Sequence, residues 1–257
     1  MCIRDRINVI LSNDKIYEGN LILVNADYGL KTSEEKDLTA VDPKYPDILM
    51  KREAVNILQM VLDKLGSRGD IVPVSGYRSF KEQTDIYEKS LIDSGREFTE
   101  KFVALPNHSE HQTGLAIDLG LNKEDIDFIC PDFPYDGICE QFRKLAPKYG
   151  FIERYQKNKE YITGIGHEPW HFRYVGYQHS IVMYEKVMVL EEYIDYVKRF
   201  SCGGEHLNIV RNGAAVEIFY VETDVSGKTV ITLPDNTVYQ VSGNNVDGFV
   251  VTIWRKP

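Results

Sequence analysis

The spacing of apolar residues changes character twice along the chain. In "YEGNLILVNADYGL" (17–30) a short apolar run leads into Asn, Asp and Gly, which predicts a strand ending in a turn. "DILMKREAVNILQMVLDKLG" (47–66) switches to a helical period. Val55, Leu58, Leu62 and Leu65 recur at helical steps, and Gly66 suits the C-terminal end. "IVPVSGYRS" (71–79) predicts a short strand running into a loop. A helix comes next, with Ser79 and Glu82 spaced as a capping box. "GLAIDLGL" (114–121) alternates as a strand does. Gly114, Ala116 and Asp118 share one face, and Leu115, Ile117 and Leu119 the other. "ICEQFRKLAPKYG" (138–150) predicts a helix as far as Pro147. "FIERY" and "WHFRYV" predict strands, and residues 178–200 a long helix with Ile181, Tyr184, Val187, Met188 and Leu190 as apolar positions.

After "CGGE" (202–205) the texture turns to short β-type runs separated by Gly, Asn and Asp, which predicts a small all-β unit. The opening "MCIRDR" is unlike the rest of the chain and resembles a translated sequencing adapter. The chain therefore divides into an N-terminal segment 1–16, a main domain 17–200 and a β extension 203–257. The mixture predicts an α+β fold, with a central, mostly antiparallel sheet flanked by helices.

Composition narrows the function classes. With 43% hydrophobic and 27% charged residues among 257, the chain has material for a sizeable core. A net charge of −9 and no long Lys/Arg run argue against nucleic acid as a partner. No stretch approaches the roughly 20 apolar residues of a membrane-spanning helix. No signal peptide is evident, so a complete chain is expected in the cytoplasm, and a chain missing an N-terminal signal or anchor at the cell envelope. Cys2, Cys130, Cys139 and Cys202 form no CxxC pair, and free thiols are favoured over a Cys130–Cys139 bridge.

The chemistry concentrates in two windows. "NHSEHQTGLAID" (107–118) and "GHEPWHF" (166–172) hold four of the six histidines, each window with a carboxylate. Small Gly114 and Ala116 on the Asp118 face leave room for an ion to approach the strand. Pro169 breaks any helix through Glu168–His171, so Glu168 is expected to end a loop and His171 to project from a strand beginning near Trp170. His111, Asp118 and His171 supply two imidazoles and a carboxylate, the usual donor number for a catalytic zinc with one position left for water. Glu168 is then the spare carboxylate, placed to take a proton from that water. Each of these residues alone has an ordinary structural reading, and the set on its own is balanced between the two.

At these residues the sequence resembles a known family. "SEHQTGLAID" fits the S-x-H-x-x-G-x-A-x-D pattern of zinc D-Ala-D-Ala carboxypeptidases of the VanY and VanXY type. "SGYRSFKEQ" (75–83) and "EPWHFRYVG" (168–176) match the other two motifs in order. The resemblance implies a D,D-peptidase/hedgehog-like fold and a Zn2+ site of His111, Asp118 and His171. It implies Glu168 as general base and Arg78 as the cation facing the developing oxyanion. Ser109 and Gln83 would hold the substrate's terminal carboxylate, and Trp170 would pack behind the site. The implied substrate is the D-Ala-D-Ala end of a peptidoglycan stem peptide or precursor, the feature that glycopeptide antibiotics bind. Three alternatives stay open: a D,D-dipeptidase or dual enzyme, an L,D-endopeptidase, and a non-catalytic cell-wall-binding module. "EFTEKFVALPNHS" (97–109) is the expected pocket wall.

Overall fold

The computed structural model describes residues 6–31, 37–67, 69–211 and 213–255. In chain order the elements are β1 (Arg6–Ser12), β2 (Leu38–Asp42), β3 (Tyr45–Lys51), α1 (Arg52–Leu65), β4 (Ile71–Ser75), α2 (Phe80–Asp93), α3 (Arg96–Phe102), β5 (Ala116–Leu121), α4 (Gly137–Leu145), β6 (Phe151–Tyr155), α5 (Glu160–Thr163), β7 (Glu168–Tyr174), α6 (Tyr177–Lys186), α7 (Leu190–Lys198), β8 (Leu207–Arg211), β9 (Ala214–Glu222), β10 (Lys228–Pro234), β11 (Val238–Gly243) and β12 (Gly248–Arg255). They fall into two compact units. One is Val24–Val189; the other joins the chain up to Leu23 with everything from Leu190 onward.

The Val24–Val189 unit is built on a four-stranded sheet of order β4-β5-β7-β6, antiparallel at every step. Ala54, Val55, Leu58, Val61 and Leu62 form the buried stripe of α1. They join Ile117, Phe142 and Phe172 in one apolar core. Phe133, Phe142 and Phe172 meet edge to face there. Each fully buried side chain of this size contributes roughly 1.5–3 kcal/mol. The helix α1 starts at Arg52 because residues 45–51 pair with β2 instead. Its end is as expected, with Gly66 left-handed at φ 64°. The capping box at Ser79 and Glu82 is formed in full.

The other unit carries a second antiparallel sheet of order β11-β12-β9-β8 and the pair β1-β10. Phe219, Ile231, Leu233, Val251 and Ile253 form its core. The all-β texture after residue 202 is thus real, but this unit also takes α7 and the N-terminal chain. The expected division at 16/17 does not hold within it. Arg6–Ser12 pairs residue by residue with Lys228–Pro234, while Met1–Asp5 lie outside the described residues.

Two further expectations change. Leu21–Val24 are buried without forming a strand. Their backbone is satisfied irregularly: Leu21 N–H donates to Ser242 Oγ at 2.9 Å, and Leu23 O accepts from Asn245 Nδ2 at 2.7 Å. The long helix at 178–200 is two helices, because Val187 turns left-handed at φ 54° and ends α6. Cys130, Cys139 and Cys202 are free thiols. Among the described residues no helix is long and apolar enough to cross a membrane.

Candidate active site

Three pieces of chain meet over the two central strands of the first sheet. Asp118 on β5 lies opposite His171 on β7. His111 sits in a 3-10 turn, Glu110–Thr113, that leads into β5. His111 Nδ1 is 2.6 Å from the Gly76 carbonyl. A carbonyl only accepts, so the proton sits on Nδ1 and Nε2 keeps its lone pair. That Nε2 lies 3.1 Å from Asp118 Oδ2, and His171 Nδ1 lies 2.9 Å from Asp118 Oδ1. One donor atom from each residue falls within 4.8 Å of the others, and all three residues are buried. Two imidazole nitrogens and a carboxylate oxygen converging this closely fit a catalytic zinc.

Glu168 reaches the same place through an irregularity in β7. In a regular strand, residues three apart point to opposite faces. Here Phe172 pairs with Glu153 but Glu168 pairs with Tyr155, so β7 spends two more residues than β6 over that step. This bulge turns Glu168 and His171 to one side, with Glu168 Oε2 3.7 Å from His171 Nδ1. Pro169 has no N–H to lose from the ladder, and its carbonyl accepts from Arg143 Nη2 at 3.1 Å. Glu168 therefore begins the strand rather than ending a loop. The reason expected for Gly114 also changes. It precedes β5, is left-handed at φ 69°, and a Cβ there would meet Leu38 and Lys51. Its smallness serves a turn and a hairpin contact, not an ion.

Arg78 is held over this cluster. Its Nη2 donates to Asp118 Oδ2 at 3.0 Å, its Nε to Ser75 Oγ at 2.9 Å and its Nη1 to Gln83 Oε1 at 3.3 Å. Gln83 is fully buried, and its amide nitrogen donates to Ala104 O at 2.7 Å. Both ends of that side chain are engaged within the protein. Ser109 lines the cavity, and its hydroxyl does not cap the turn it precedes. The cavity opens to solvent and is walled by Phe102, Val103, Ala104, Tyr155, Ile165 and Trp170. The first three come from the expected wall at 97–109. Trp170 also joins the apolar core. His108 and His167 stay outside the cavity: His108 Nδ1 meets Asn25 O at 2.6 Å, and His167 stacks on Tyr135.

Residues 47–177 match the VanY family, D-alanyl-D-alanine carboxypeptidase, and with them all three motifs. The chain belongs to the VanY D-alanyl-D-alanine carboxypeptidase family. Among VanY-type relatives, the bifunctional D-Ala-D-Ala dipeptidase and carboxypeptidase VanXYC of Enterococcus gallinarum is 44% identical over 179 residues, 69% of this chain and 94% of that one. The crystal structure of the vancomycin-resistance D,D-dipeptidase VanXYg, in complex with a D-Ala-D-Ala phosphinate analogue, superposes with a TM-score of 0.96. It is 56% identical and the match covers 98% of this chain and 100% of that one. A VanY variant from a VanB-type resistance cassette, in complex with Zn(II), matches at a TM-score of 0.57 and 26% identity, over 68% of this chain and 98% of that one.

The VanY-type site is electrostatically divided. Burial pushes the Glu168 carboxyl up to about 8, opposed by nearby His171. Burial would also raise Asp118, but His111 and His171 hold it well below the usual carboxylate range. Burial, with Arg78 adding to it, pulls His111 down to about 4. Burial opposes a charged His171, yet its hydrogen bond to Asp118 and the nearby Glu110 carboxylate lift it to about 9. A divalent cation on these donors favours ionised carboxylates and neutral rings.

One cluster escaped the sequence reading. The side chains of Glu110, Arg154 and Arg173 have no solvent exposure, and Glu110 Oε1 is 2.8 Å from Arg154 Nε and 2.9 Å from Arg173 Nη1. Burial would raise Glu110, but the two guanidiniums keep it ionised, well below its ordinary range. Its position next to His111 was the available signal.

Proposed function

We infer that this protein is a zinc-dependent hydrolase of D-Ala-D-Ala, acting as carboxypeptidase on peptidoglycan stem peptides or their precursors and as dipeptidase on the free dipeptide. The observation that carries this reading is the convergence of His111, Asp118 and His171 in a cavity that also presents Glu168 and Arg78. His111, Asp118 and His171 would hold the zinc, which when bound supplies a Lewis acid and a more acidic water.

The remaining chemistry belongs to the chain. Glu168, a cavity carboxylate that is neither a ligand nor paired with the two buried arginines, takes the proton of the attacking water and returns it to the leaving D-alanine amine. Arg78, fixed by three hydrogen bonds, faces the oxyanion that develops at the scissile carbonyl. The Ser109 hydroxyl donates to the substrate's terminal carboxylate. Gln83 serves the substrate through Arg78, since its amide is committed to that guanidinium and to Ala104. Removal of the terminal D-Ala would erase the feature that glycopeptide antibiotics bind. A non-catalytic wall-binding module has no need of Glu168 beside a metal cluster, and the VanY-family match favours D,D over L,D cleavage.

The test is D-alanine release from UDP-MurNAc-pentapeptide and from D-Ala-D-Ala, before and after chelation. Activity on both substrates, lost with chelator and restored by zinc, is expected. Full activity after exhaustive metal removal would overturn the assignment.

A further inference from the structure

We propose that Glu110 is a positioning residue that fixes the tautomer and ring orientation of His171 for metal binding, with Arg154 and Arg173 anchoring it. The proposal rests on the zinc reading above. His171 presents Nδ1 to Asp118 and the metal cluster, so its proton belongs on Nε2. That Nε2 faces Glu110 Oε2, 3.6 Å away. Both atoms are buried and neither has a hydrogen-bond partner within the usual limit. Glu110, held ionised by two guanidiniums, suits the position as an acceptor that does not donate.

The anchoring explains an otherwise costly arrangement. A fully buried ion cluster is often no more stable than apolar side chains of the same volume. This one spans the 3-10 turn that carries His111, strand β6 with Arg154, and strand β7 with His171 and Arg173. Arg154 also lies over the Tyr155 ring, whose own centroid is 4.8 Å from that of His171. The two guanidiniums thereby hold Oε1 of the Glu110 carboxylate, and Oε2 is left facing His171. A carboxylate behind a ligating imidazole sets its tautomer and strengthens its donor nitrogen.

The test measures zinc affinity of the metal-free full chain by competition with a chromophoric chelator. Glu110→Gln should bind zinc about 10- to 100-fold more weakly. Leu58→Ala, a core truncation on α1, should lower the melting temperature yet leave zinc affinity within twofold. A folded Glu110→Gln protein with wild-type zinc affinity overturns the proposal. Because that variant removes a carboxylate that pairs with two buried arginines, a second measurement uses the wild type alone. Long-range proton–nitrogen NMR of the zinc-loaded protein should show His171 protonated at Nε2, with a proton protected from exchange. Coordination through Nε2 overturns the proposal while leaving the zinc reading intact. Failure of the wild type to bind zinc at all overturns both.

Discussion

Replacing Glu168 by Gln removes a proton acceptor while keeping shape and burial. General-base catalysis is worth about 10²- to 10⁴-fold, and the site argues for the upper end. Every other candidate acceptor in the cavity is already engaged. Asp118 is bonded to Arg78 and both histidines, Glu110 is clamped by Arg154 and Arg173, and His111 and His171 face the ion. The expected loss in kcat is therefore near 10⁴, about 5.5 kcal/mol of transition-state stabilisation. Zinc should stay stoichiometric, because the three ligands are untouched. The metal-free variant should be no less stable than the parent, since burial already opposes the charged carboxylate. The assay is continuous D-alanine release at saturating D-Ala-D-Ala, with zinc content measured on the same samples. Turnover within tenfold of wild type at full zinc occupancy would remove Glu168 from its role.

Arg78→Lys keeps the charge but loses the fork that bonds Ser75, Gln83 and Asp118; kcat should fall about 10²- to 10³-fold with a smaller change in KM, and an unchanged kcat refutes the oxyanion role. Gly76→Ala places a Cβ 2.3 Å from Leu49 O, a backbone atom that cannot swing away. It should cost about 1–3 kcal/mol and weaken zinc binding through the Gly76 carbonyl under His111, read as melting temperature with and without zinc. Burial holds His179 neutral, with its pKa pulled down to about 3. The unfolded chain titrates near ~6.5 and so gains its proton first. Stability is full above that value and is lost as pH falls through the window toward 3, by about 2 kcal/mol at pH 5. His179→Gln should flatten this slope in urea titrations at pH 5 and 7.5; an unchanged slope rules His179 out as its source.

What the sequence revealed was chemistry written locally. The two ligand windows at 111–118 and 168–171, the capping box at Ser79 and the left-handed end at Gly66 each depend on residues a few positions apart. What stayed hidden depends on distant partners. Glu110 looks like a surface acid until Arg154 and Arg173 arrive from β6 and β7 to neutralise it. The run at 17–30 has a strand's composition, but Ser242 and Asn245 answer its backbone from the far end of the chain. The β7 bulge is equally invisible, because register is a property of two strands and not of one.

The pairing of β1 with β10 makes its unit discontinuous in sequence. During synthesis the Val24–Val189 segment leaves the ribosome with all of its own strands available. The first strand of the other unit, in contrast, must wait for a partner translated more than two hundred residues later. Truncation within the last strands would therefore strand the beginning of the polypeptide as well as its end. A clean excision of this unit has to remove both termini together.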